Sequence, residues 1–115
     1  MTDRVGMFPA ASVAEVRRRH RHVRVIGAAR SKQDVIAAIY RAVDAPSYAA
    51  TNLDALADIL GDLSWLPGGP ITLAWLGSDA VPTAVQTPLL DLLRDVADGS
   101  AGSAHPLSIY RIDAD

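Results

Sequence analysis

Ile71-Thr72-Leu73-Ala74-Trp75-Leu76 is a run of six residues free of charge, glycine and proline in a chain of 115. Its length suits a strand and falls far short of the ~20 residues of a membrane span. An almost continuously apolar strand of this kind expects cover on both faces, as in the centre of a parallel sheet. The turn Pro67-Gly68-Gly69-Pro70 delivers it and Gly77 closes it.

Working outward, Val23 to Ile26 reads as a short β-branched strand ending at Gly27. Ser31 is placed to cap a helix from Lys32 to Val43, with Val35, Ile36, Ile39, Tyr40 and Val43 at helical spacing. After a loop through Tyr48, Thr51 or Asn52 caps a second helix. There Leu53, Leu56 and Leu60 form an apolar stripe that Gly61 is placed to end. Thr87 and Pro88, as cap and first-position proline, open a third helix to about Asp98, with Leu89, Leu92, Leu93 and Val96 inward. A flexible loop over 99–103 leads to a last strand, Pro106 to Ile112, with Leu107 and Ile109 inward. Strands separated by helices imply parallel pairing through right-handed crossovers. The expected fold is therefore α/β: a small three-stranded parallel sheet packed with helices. Residues 1–21 offer only Val13 and Val16 as large apolar positions in the helix-compatible stretch from Ser12 to His20, so they read as a basic extension, open to partial disorder, on a domain spanning 22–115.

Half of the residues are hydrophobic and about a fifth charged, which argues for one folded core and against disorder. No cysteine is present, so disulfides, thiolate catalysis and Cys-ligated metal sites are excluded. That absence, and the lack of an apolar signal segment before His22, favour the cytoplasm and no membrane. No phosphate-binding glycine loop follows a strand, and no serine sits in a nucleophile-elbow pattern. His20 and His22 lie among arginines, whose charge opposes a metal ion, and His105 reads as a surface residue beside Pro106. Neither a metal nor a cofactor is expected, nor is enzymatic activity.

The formal net charge of -2 conceals a division. Residues 1–41 carry nine Arg or Lys against three acids, and residues 42–115 two against ten. The basic part is densest at Arg17-Arg18-Arg19-His20-Arg21-His22-Val23-Arg24, a run open to phosphate contact or to service as a solvated arm. No aromatic interleaves with it, so nucleic-acid binding is the lesser expectation. In the acidic part, Asp54, Asp58 and Asp62 recur every four residues and share one helix face opposite the leucine stripe. Asp54, in the first turn, is favoured by the helix dipole. Asp58 and Asp62, toward the other end, cost ~0.3–1 kcal/mol each, and each i, i+4 repulsion a further ~0.2–0.5 kcal/mol. Helix stability therefore explains Asp54 and leaves Asp58 unexplained. An acid kept at a destabilising position suits a basic partner, which electrostatic steering brings in faster.

At these residues the sequence resembles the barstar family, the small inhibitors of barnase-type ribonucleases. The resemblance is strongest at Pro46-Ser47-Tyr48-Ala49-Ala50-Thr51-Asn52-Leu53-Asp54-Ala55-Leu56-Ala57-Asp58-Ile59-Leu60. The family pattern there is a proline, a Tyr-Tyr-Gly turn, then Asn-Leu-Asp-Ala-Leu-x-Asp. Leu89 to Asp95 is similar to the family's third long helix, whose late acidic residue also faces the nuclease. The order of elements matches from Val23 to Ile112 and leaves residues 1–21 outside.

The resemblance implies an inhibitor, an antitoxin or immunity protein, that plugs the active site of a basic ribonuclease with its acidic helix where RNA phosphates would bind. By motif position Asp58 would be the central phosphate mimic and Asp54 a second acidic contact. Tyr48 would be an aromatic anchor and Asp95 a flanking acid. Asn52, within the motif, and Asp62, the last acid of the ridge, complete the expected partner-binding set. The implied partner is a basic extracellular-type ribonuclease or nuclease toxin domain. Ala49, Ala50, Thr51 and Ala57 stand where the family has Tyr, Gly, Glu and Trp, which implies a cognate nuclease other than barnase. Two readings compete with this one: a barstar-like module that engages a non-nuclease protein, and nucleic-acid binding through Arg17 to Arg24.

Overall fold

The computed structural model describes residues 5–113. Its elements in chain order are β1 (Gly6–Pro9), α1 (Val13–Arg19), β2 (Arg24–Ile26), α2 (Lys32–Ala42), α3 (Leu53–Asp62), β3 (Ile71–Leu76), a 3-10 turn (Ser78–Ala80), α4 (Thr83–Gly99) and β4 (Leu107–Ile112). The strands form one sheet in the order β1-β4-β3-β2, with every neighbouring pair parallel.

The sheet has four strands, where the sequence led us to expect three. The additional one, β1, comes from the segment expected to be an extension, and it pairs Gly6 through Pro9 with Ser108 through Arg111. It is an edge strand, which is why Pro9 is tolerated there. Gly6 has a φ of +120°, and a Cβ on it would meet Asp98 Oδ1 at 3.0 Å, so only glycine fits. The stretch expected to be weakly helical is α1, capped by Ser12, whose hydroxyl accepts the Glu15 N–H. The Glu15 carboxylate in turn accepts the Ala11 N–H at 2.8 Å.

Alternation along the central strands makes two cores. Ile71, Leu73 and Trp75 of β3 and Leu107 and Ile109 of β4 meet α2, α3 and α4 on one face. Ala74, Tyr110 and Ile112 meet Val16 of α1 on the other. The five residues Ile71 to Trp75 are all buried, as a central strand covered on both sides requires. The Trp75 indole N–H is enclosed without a hydrogen-bond partner, at a cost of ~1–3 kcal/mol. Trp65 is half-buried and donates its own to the Val43 carbonyl at 2.8 Å.

Two boundaries and the burial of one side chain differ from expectation for local reasons. Gly61 does not end α3, which runs to Asp62 and stops at Leu63 in the left-handed region (φ 49°), held there by burial of its side chain. Helix α4 starts at Thr83, with Pro82 as its cap, and Pro88 lies inside it. The intrahelical bond lost there would have gone to Ala84, whose exposed position lets water serve its carbonyl. His105 is buried rather than superficial: its Nδ1 lies 3.2 Å from the Gly69 carbonyl, so the ring ties the turn before β3 to the loop before β4.

Candidate functional site

Helix α3 is positioned by its apolar face. Leu56, Ile59 and Leu60 are buried in the larger core and Leu53 is half-buried at its rim. Packing on that side turns Asp54, Asp58 and Asp62 outward, and all three are exposed. Four residues at 1.5 Å rise place successive carboxylates ~6 Å apart along the axis. Among the described residues none of the three, nor exposed Asp95 of α4, forms an ion pair. Asp62 accepts a hydrogen bond from the Ser64 hydroxyl at 3.1 Å.

Asn52, rather than Thr51, is the N-cap: its Oδ1 accepts the Ala55 N–H at 2.8 Å. The cap fixes where the helix begins and hence the direction in which Asp54 and Asp58 are presented. Asn52→Ala should cost ~1 kcal/mol of stability, read as a lower urea midpoint at constant m-value.

Before the cap, the loop from Asp44 to Thr51 carries Tyr48, 84% exposed and the sole large apolar side chain so open to solvent among the described residues. The loop is held from below by Tyr40, whose hydroxyl donates to the Ala50 carbonyl at 2.7 Å. Partial burial raises the Tyr40 pKa above the usual phenol value, so the hydroxyl keeps its proton. Tyr48 thus stands on a tethered loop beside the start of the acidic ridge.

At the other end of α3, helix α4 packs alongside. The two helices and the loop before β4 enclose a cleft of about 450 Å³, lined among others by Gly61, Asp62, Asp95 and His105. Asp62 and Asp95, far apart in sequence, are therefore brought to one place. Gly61 and His105 were not singled out for this cleft from sequence, where Gly61 read as a stop signal and His105 as a surface residue. A Cβ on Gly61 would meet nothing within 4 Å, so packing within the chain gives no reason for a residue that costs its helix ~1 kcal/mol relative to alanine.

The surface is convex along α3 and open at its ends. It offers carboxylates and an aromatic side chain, all exposed to solvent. No group of three or more His, Asp or Glu placed to hold a metal occurs among the described residues, and no helix is long and apolar enough to cross a membrane. Fold and surface together define a small α/β domain with an exposed acidic helix face. The chain belongs to the barstar family: the family model described as Barstar (barnase inhibitor) matches residues 20–111. That family is one of inhibitors, and its description names the ribonuclease barnase as the target. No curated protein matches the chain.

Proposed function

We propose that this protein is an antitoxin or immunity protein that inhibits a basic ribonuclease by laying α3 and the Tyr48 loop across its active site. The observation that carries this reading is the exposed row Asp54, Asp58 and Asp62, continued by Asp95 and free of ion pairs among the described residues, on a scaffold of the inhibitor family. Carboxylates at this spacing meet the Arg, Lys and His⁺ that would otherwise hold RNA phosphates, through charge-assisted hydrogen bonds. Asp58 is central, Asp54 and Asp62 flank it along the helix, and Asp95 meets the same partner from α4. Tyr48 supplies apolar contact at low conformational cost and Asn52 holds the helix start. The cytoplasm, where an immunity protein protects its own cell, is the proposed site of action.

The departures at Ala49, Ala50, Thr51 and Ala57 remove bulk beside Tyr48 and between Asp54 and Asp58. They favour a cognate nuclease or toxin domain with a bulkier surface than barnase. The test is isolation of the partner by pull-down, followed by titration of its ribonuclease activity with this protein. Equimolar loss of activity is the expected result, and a partner without nuclease activity would favour the non-nuclease module instead. Gly61→Ala gives a second check with opposite signs: folding should gain ~0.5–1 kcal/mol, while the complex weakens because the added methyl group occupies partner-facing space. A variant that gains stability at full affinity would place the interface away from this end of α3.

A further inference from the structure

The family match begins at residue 20, so β1 and α1 lie outside it, and the charge they bring is not part of the acidic surface. Helix α1 covers the sheet face opposite α3 and α4: Val16 is buried against Ala74, Tyr110 and Ile112. His20 closes the helix, with its Nε2 2.8 Å from the Tyr110 hydroxyl. With Val16 turned inward, Arg17, Arg18 and Arg19, then Arg21 and His22 beyond the helix, are all exposed. Arg24 is committed to Asp44 at 3.1 Å and to the Ala42 carbonyl, and Arg19 meets Glu15 at 3.7 Å. Arg17, Arg18 and Arg21 meet no carboxylate among the described residues. The dipole of α1 favours cations in its last turn, but Arg21 and His22 lie past that turn.

We propose that this basic face binds the phosphate backbone of single-stranded RNA, independently of the acidic face on the other side of the sheet. The cations are arginines throughout, the side chain whose planar fork engages phosphate oxygens two at a time. Among the described residues no exposed Phe, Tyr or Trp accompanies them, Tyr48 being on the loop before α3, so the contacts are to phosphates alone, which makes binding weak and indifferent to sequence. A membrane surface would attract the same charges but needs an apolar edge to insert. Val16, which would supply that edge, is turned onto the sheet instead. The acidic ridge of a second copy is complementary in sign but straight and rigid. Arg17, Arg18 and Arg19 spread around the helix and Arg21 sits in the bend that follows, a path that a flexible polyanion follows and a helix face does not.

The experiment is fluorescence anisotropy of a labelled 12-nucleotide RNA titrated with the full-length protein across a series of salt concentrations. Binding should be weak, micromolar or looser near physiological salt, and similar for homopolymers of different base. The logarithm of affinity should fall against the logarithm of salt with a slope of about -2, three arginines each displacing ~0.7 of a counterion. Arg17→Gln, Arg18→Gln and Arg21→Gln together should weaken binding at least tenfold at low salt and flatten the slope. The thermal melt and the affinity for the nuclease should stay as in the wild type. The proposal is overturned by RNA affinity unchanged in the triple variant or absent at low salt. It is equally overturned if the variant instead loses binding to phosphatidylserine vesicles, or loses a salt-sensitive self-association seen in sedimentation, with no RNA binding in the wild type.

Discussion

Asp58→Ala is expected to weaken the complex with the cognate ribonuclease by ~2 kcal/mol or more, about thirtyfold in Kd. That is the size of a charged hot spot, for which barnase–barstar is itself the reference case. The reason is asymmetric: the mutation removes one carboxylate from this protein but leaves desolvated cations unpaired in the partner. Folding should survive. Asp58 is exposed and forms no ion pair among the described residues, and it sits between two like charges four residues away on either side. Its removal should therefore leave stability unchanged or slightly raised. Asp62→Ala, at the helix end, should act mainly on the association rate and lose its effect in high salt. Activity titrations of the nuclease alongside urea melts of each variant separate the two quantities. Tight inhibition by Asp58→Ala, or its failure to fold, would leave the family scaffold with a different mechanism and favour the non-nuclease partner.

The elements that position this surface were legible because each rests on local chemistry. Ser31 and Asn52 cap α2 and α3 as their positions suggest, and the apolar run at 71–76 is the buried β3. The direction of the three aspartates follows from the spacing of Leu53, Leu56 and Leu60 alone. What escaped was non-local. Strand β1 carries a glycine and a proline and earns its place only by pairing with β4, more than a hundred residues later. Pro88 reads as a helix start because proline favours that position, but the turn before it is held non-locally, by Val85 packing on the core and by the Gln86 amide donating to the Ser78 carbonyl, which puts Pro88 inside a longer helix. The cleft joining Asp62, Asp95 and His105 depends on how α3 and α4 meet, which neither helix encodes by itself.

Removing residues 1–21 is expected to lower the melting temperature by more than ~10 °C, against the small effect that their sparse apolar content suggests. Val16 alone, 1% exposed, loses burial worth ~1.5–3 kcal/mol. Its removal also uncovers Ala74, Tyr110 and Ile112, at present 6% exposed or less. The backbone groups of β4 that pair with Gly6 to Pro9, and the Arg111 carbonyl that accepts the Ala10 N–H at 3.0 Å, lose their partners. Together these exceed ~3 kcal/mol, and for a domain of this size each kcal/mol shifts the midpoint by ~4 °C. The truncated chain should also self-associate, because deletion exposes an apolar face and an unpaired β4 edge at the same time. Thermal melts and light scattering of the full chain and of residues 22–115 measure both effects. Val16→Asp in the full chain makes a point-mutant version, placing a carboxylate where β4 and α1 meet without removing β1. An unchanged midpoint in the truncated chain would mean that three strands and one covered face suffice, and that β1 and α1 are held by the rest of the domain rather than holding it.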